Sequence, residues 1–547
     1  MLRARTCRNP VRLALLLASF GAAITCAHEA RPRLFAGLGP AHHPVTTQSP
    51  LAQRYFDQGL SLCFGFNHEA AIHAFEAALE IDPSCAMCEW GIALALGPNI
   101  NAPMAPGSAR PAYAAAQRAL AKAERASERE RAYIRAVAAR YAAEPPTDRS
   151  TLDRAYADAM RTVHEADPSD ADAAALFAEA LMDLSPWNYW TPDRKPRANT
   201  LEILAVLEAV LAARPDHVGA NHFYIHAVEM PYPERGVAAA ERLRTLAPDA
   251  GHLVHMPSHI FWRVGRYDDA FETNRSALRS DERFFATCRA GPFYRTAYYA
   301  HNLHFLWAAA AAEGRSEVAL ATARQLEAES AAAIESYPFL EEQLAIPILT
   351  LARFGRWDAL LAAERPPASR VYLTGIWHYA RGLALVRTGR ATEVGAEIDA
   401  LEALIETEAA QKLILSGGVA SAAQLLEIGY AHLLGEHAAS TGKIAAASKM
   451  LRGAVKKQDE VAYMEPPPWY FPTRQALGAV LLEAGRAADA EKVYRADLEH
   501  HPRNGWSLYG LAASLRAQGK RADADWAQKG FAAAWARADV ELHASRF

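Results

Sequence analysis

The chain has 547 residues, 58 basic against 62 acidic side chains, a formal net charge of −4 and 20 histidines. That length exceeds one ordinary hydrophobic core, so it predicts several domains or one long repetitive array. A mildly acidic balance with no basic run argues against nucleic acid as a partner.

In chain order, Arg3, Arg5, Arg8 and Arg12 precede an apolar stretch from Leu13 to Ile24, and Thr25-Cys26-Ala27 follows with a small-residue cleavage pattern. Residues 1–27 therefore read as a secretory signal whose apolar part is too short to span a bilayer. Its removal takes the formal charge to −8 and predicts an exported protein, periplasmic or extracellular. No later segment is apolar over a membrane-spanning length, so no membrane span is expected. Residues 28–50, rich in Pro, Ala and His, predict a loosely ordered arm. Of six cysteines, Cys63, Cys85, Cys88 and Cys288 remain after the signal. Four are too few for a disulfide-built fold. Cys85-Ala-Met-Cys88 is compatible with a local disulfide, a redox pair or a soft metal site.

From residue 51 onward alanine is abundant, runs of β-branched residues are scarce and short apolar helical patterns recur, which predicts an all-α fold. Gly59, Ala71 and Pro83 lie twelve apart in "GLSLCFGFNHEAAIHAFEAALEIDP". The same form returns in "RVGRYDDAFETNRSAL", "AAEGRSEVALATARQL", "EAGRAADAEKVYRADLEHHP" and "RAQGKRADADWAQKGF". A helix ends at a Gly-Arg or Gly-Lys turn and another begins on small residues. This resembles the tetratricopeptide repeat (TPR), a helix-turn-helix unit of about 34 residues. The resemblance implies a single right-handed superhelical solenoid over residues 51–547, of about ten units, with a concave groove. "CFGFNHEAAIHAFEAALEIDPSCAMCEWGIALALGPNINAPM", "HMPSHIFWRVGRYDDA" and "YMEPPPWY" are similar to stretches of exported bacterial TPR proteins. Neither likeness implies a substrate.

The chemistry concentrates in residues 220–307, where seven histidines fall in three groups. These are His222 and His226, then His252, His255 and His259, then His301 and His304. Spacings of three and four put each group on one helix face. Counted from the repeat turns, the resemblance places all seven at groove positions of three consecutive first helices, whose axes lie about 10 Å apart. Paired histidines on helices are a recurring metal-site arrangement, and neutral imidazole is the commonest metal ligand. All seven are therefore candidate ligands for one or two transition-metal ions, copper or iron in preference to zinc because histidines outnumber carboxylates. Three histidines per ion would be similar in ligand count to binuclear copper proteins. Glu229, one turn past His226, is a candidate ligand or general base.

Candidate wall residues for a small substrate are Tyr224, Trp262, Tyr298, Tyr299, Trp469, Tyr470 and Arg474, with ordinary groove lining or core as the plainer reading. The stiff Glu465-Pro-Pro-Pro-Trp469 segment is either a lid across the superhelix or a rigid connector. Pro186-Trp187-Asn188-Tyr189-Trp190 is either a substrate-facing loop or a packed turn. The first functional reading is a metal-dependent enzyme, oxidative before hydrolytic. The others are a scaffold that holds a peptide in the groove and metal storage or delivery without catalysis.

Overall fold

A computed structural model of the chain describes residues 31–287 and 292–547. The proposed signal segment, His28 and Cys288 lie outside the described residues. Helix pairs run in unbroken succession from Pro50–Phe64 with His68–Ile81 to Gly505–Ala517 with Arg521–Ala534. Among the described residues the β pairing is a two-residue antiparallel ladder of Ile414–Leu415 with Ala420–Ser421 and isolated bridges at Asn99–Ala102 and Trp190–Pro196. The fold is an all-α solenoid of TPR-type helix-turn-helix units. Among the described residues no helix is long and apolar enough to cross a membrane.

The repeat forms because small residues let paired helices approach closely. The Phe75 ring lies between Gly59 and Gly91, where an added Cβ would meet it at 2.5 Å. Tyr494 does the same between Gly478 and Gly510 near the other end. From Gly265 onward the turns place a residue in the left-handed region, where glycine carries no steric penalty. Gly265 (φ 75°) and Gly485 (φ 75°) are examples, and Gly314, Gly355, Gly389, Gly442 and Gly519 repeat the conformation.

Two closures distinguish this solenoid from an open superhelix. The first repeat curls onto the fifth, so that a Cβ on Gly219 would meet the Phe64 ring at 2.5 Å. The last repeats fold back onto the middle: Trp506 donates its indole N–H to the Ala311 carbonyl at 3.2 Å, and Asp539 accepts the backbone N–H groups of Ser316 and Glu317.

The arm departs from expectation. Residues 31–49 carry no helix before Pro50, yet they are pinned along their length rather than loose. Phe35 donates its N–H to Gln58, Gly37 to Asp249 and Thr46 to Glu130. His43 is buried, with Nδ1 2.8 Å from Asp172. Buried backbone amides need partners, and these carboxylates and amides supply them. The Cys85–Cys88 sulfurs are joined in a disulfide, which leaves no pair of free thiolates for a soft metal. Cys63 is buried as a free thiol.

Candidate metal centre

Three inner helices carry the histidines. Every residue of Val218–Val228 is buried, and His217 caps it by accepting the Ala220 N–H at Nδ1. The next inner helix breaks at Met256 into Gly251–His255 and Pro257–Arg263, because Pro257 supplies no N–H to the ladder. His255 and His259 still share a face across the break. The third helix, Ala300–Ala312, follows a π-turn at Arg295–Tyr299.

Six of the seven candidate histidines converge. His222, His226 and His252 form one triad and His255, His259 and His301 a second, with ligand-capable atoms of each within 4.8 Å of one another. The triads touch, since the His226 and His259 rings lie 5.8 Å apart and the His252 and His255 rings likewise. All are buried except the partly exposed His301.

The outer nitrogens are anchored, and this fixes the inner ones. His222 donates Nδ1–H to the Phe64 carbonyl at 2.6 Å. His255 donates Nδ1–H to the Asn274 Oδ1 at 2.6 Å, and the Asn274 amide is oriented by its own N–H to the Ala270 carbonyl. His259 directs Nδ1 at Glu465 (3.0 Å) and Glu229 (3.4 Å), and His226 directs Nδ1 at Glu229 (3.4 Å). Carboxylate or carbonyl partners on Nδ1 set the tautomer and leave the Nε2 lone pair facing inward, the arrangement metal-bound histidines adopt. The inner Nε2 atoms of His222 and His226, and both ring nitrogens of His252, are buried without a protein partner. The Nε2 atoms of His255 and His259 face each other at 3.0 Å. That separation is met either by one proton shared between the two nitrogens, with Glu465 protonated and donating to His259 Nδ1, or by a cation that both lone pairs face.

Burial lowers the basicity of all six imidazoles. His222 and His259 are pushed down to about 3, and His226, His252, His255 and His301 also fall well below the ordinary range, helped by neighbouring imidazoles. They are therefore neutral near pH 7, the ligating form. Glu465 is pushed up to about 8 by burial, with the Arg263 guanidinium opposing, and Glu229 is raised by burial and by the Glu465 charge.

The seventh histidine departs from expectation. His304 lies one turn beyond His301, buried against Trp307 (5.8 Å) and Tyr470 (5.2 Å), and joins neither triad. The proposed wall divides in the same way. Tyr298 packs on His252 at 4.6 Å, and Trp262 stands behind Phe305, which contacts His255, His259 and His301. Tyr470 touches only His304 of the seven and donates to Glu342. Tyr224 bonds Glu208, Tyr299 accepts from Gln325, Trp469 packs on Tyr379 and Arg474 pairs with Asp459, so these four side chains face other surroundings. The cavity that touches His252 holds only about 10 Å³, whereas about 220 Å³ opens at the arm, between Pro40–Pro44, Arg129, Asp172, Arg214 and His217. Another His–Asp group near that opening, His43 with Asp170 and Asp172, already holds the Arg129 guanidinium, which bonds Asp170 at 2.8 Å.

Sequence reasoning missed Asn274, Phe305, Glu465 as a partner of His259, and Phe66, whose ring lies 4.6 Å from His222. Phe66 was detectable, because it stands where the turns from Gly265 onward carry glycine.

No family model matches the sequence, and no curated protein matches it. Similar solved structures include human IFIT1 as a dimer with m7Gppp-AAAA, at 12% identity and a TM-score of 0.32 over 89% of this chain and 91% of that one. Yeast Tom70 gives 11% and 0.29 over 88% and 92%. The P58(IPK) TPR domain gives 12% and 0.21 over 86% and 98%. Likeness this distant says nothing about what the present chain binds.

Proposed function

We propose that this chain is an exported metalloprotein whose six clustered histidines hold two transition-metal ions, and that it catalyses oxidative chemistry on a small substrate. One observation carries the metal reading: the Nε2 atoms of His222 and His226 and both ring nitrogens of His252 are buried without a protein partner, and the three rings bring ligand-capable atoms within 4.8 Å of one another. Neutral, nitrogen-only donor sets favour copper or iron over a hard oxygen-liking cation, with zinc as the third choice. Glu229 and Glu465 sit on the Nδ1 side and orient ligands there. Export rests on the Arg-rich and apolar character of residues 1–27.

Metal storage or delivery is the second reading, favoured by the burial of the cluster and the very small cavity beside His252. Metal titration of the purified protein tests the binding itself. The proposal expects two equivalents of copper or iron, one of them lost in a His255→Ala, His259→Ala variant of unchanged helicity. Substoichiometric metal in both proteins would overturn it and leave a TPR scaffold for a peptide. Oxygen uptake by the loaded protein with small reductants then separates the two metal readings. Repeated turnover supports the enzyme, and a single oxidation per centre supports storage.

A further inference from the structure

Two aromatic residues beside the first triad stand in backbone positions that disfavour them. Phe66 (φ 55°) takes the left-handed place in the turn after Pro50–Phe64, with its N–H on the Cys63 carbonyl and the Asn67 N–H on the Leu62 carbonyl. The turns at Gly265, Gly314, Gly355, Gly389, Gly442, Gly485 and Gly519 fill that place with glycine. Its ring covers His222 (4.6 Å) and His252 (5.9 Å) from the interior side and is buried. Trp187 (φ 61°) follows Pro186 in a turn closed by the Asn188 N–H on the Ser185 carbonyl. Proline second and positive φ third are the marks of a type II turn, whose third position prefers glycine or asparagine. A bulky residue there costs about 1–2 kcal/mol.

The two rings differ in how they are held. Just beyond Trp187 the loop is tied down: Trp190 donates its indole N–H to the Ala227 carbonyl at 2.8 Å, and Tyr189 accepts from Thr200. Trp187 itself is 43% exposed, and its ring meets the His226 ring in a T-shaped contact at 4.9 Å. His226, beneath it, is only 4% exposed. An exposed ring on a strained turn therefore stands between solvent and one candidate ligand. The second triad has no such cover: Phe305 and Glu465 close in His255 and His259, while His301 is partly exposed.

We propose that Trp187 is a movable cover over the first triad, and that an ion or small reactant reaches that triad by displacement of the Ser185–Asn188 turn. This rests on the two-ion reading for its purpose but not for its test. Phe66 is the fixed back wall and Trp187 the moving front. Opening costs little packing, because the ring is already half solvated, and it relieves the backbone strain of the turn.

The test uses the full chain, metal-free, with histidine carbethoxylation by diethyl pyrocarbonate mapped by peptide mass spectrometry. Wild type is compared with Trp187→Gly and Trp187→Phe. The exposed His42 serves as internal standard. The cover predicts that His226 labelling rises several-fold in Trp187→Gly and little in Trp187→Phe, with His255 and His259 protected throughout. It also predicts that Trp187→Gly melts no lower than wild type, since glycine suits the turn; a purely structural tryptophan would lose stability. Unchanged His226 labelling, or a parallel rise at His255 and His259, would overturn the proposal. With copper-loaded protein, a competing chelator should remove one of two equivalents faster from Trp187→Gly. Failure of wild type to hold two equivalents counts against the two-ion reading, while the labelling pattern still decides the cover.

Discussion

At Phe66 the chain keeps a phenylalanine at φ 55° where its repeats from Gly265 onward use glycine, and the ring lies on the first triad. Removing the ring costs core burial, and the left-handed backbone decides what replaces it best. Phe66→Ala should cost about 3–5 kcal/mol in urea unfolding. Phe66→Gly should cost about 1 kcal/mol less, because only glycine is relaxed there. Equal stability, or alanine above glycine, would show that the backbone is not strained. The histidines make a second prediction, for pH. His222 and His259 are held at about 3 in the fold, against about 6.5 when unfolded, so the unfolded chain binds more protons in between. The metal-free protein should keep its full histidine-dependent stability above about pH 6.5 and lose it as pH falls, at about 1.4 kcal/mol per pH unit for each such histidine. Glu465, raised by burial to about 8, acts oppositely and removes stability as pH rises through the range from about 4.5 to 8. Denaturant unfolding at stepped pH reads both. Because the two slopes oppose, the histidine part is the difference between wild type and a His222→Gln variant, and a variant profile parallel to wild type from pH 7 to pH 5 would contradict the buried neutral histidine.

At the scale of elements, the site depends on how closely the inner helices approach. Asp281 links them: Tyr294 and Asn302 donate to its carboxylate, and a Cβ on Gly251 would lie 1.8 Å from it. Gly251→Ala should therefore displace the start of the His252 helix and cost about 1–3 kcal/mol in thermal unfolding. It should also weaken metal retention by both triads, since His252 and His255 ride on that segment. A neutral substitution would mean the segment tolerates shifts that the ligand geometry forbids. Much of this level was legible in the sequence. The twelve-residue spacing of Gly59, Ala71 and Pro83 announced the helix pairs, and spacings of three and four brought six histidines to common faces. The exception is His304, which follows His301 on the same helix but is turned away from the triads, onto Trp307 and onto Tyr470 of residues 465–474.

At the scale of the molecule, the two closures bring together residues that no repeat period relates. Phe64 meets His222 across 158 positions and His259 meets Glu465 across 206. A period reports which face of a helix points inward; superhelical curvature over many repeats decides which distant segment arrives there. For that reason the sequence marked Glu465-Pro-Pro-Pro only as a stiff segment, and four of the seven proposed wall residues belong to other surroundings. Glu465 orients His259 from the Nδ1 side, so Glu465→Gln should weaken the second ion by about 10- to 100-fold and leave the first unchanged. Competition titration with a chromophoric chelator reads this, and equal weakening of both ions would assign Glu465 to general stability instead. The most direct measurement of the central claim is the metal content of wild type beside two variants, His222→Ala, His226→Ala and His255→Ala, His259→Ala, with helicity checked in each. Two adjoining triads predict two equivalents in wild type and one in each variant. Less than one equivalent in wild type, or contents that ignore the substitutions, would contradict the metal centre.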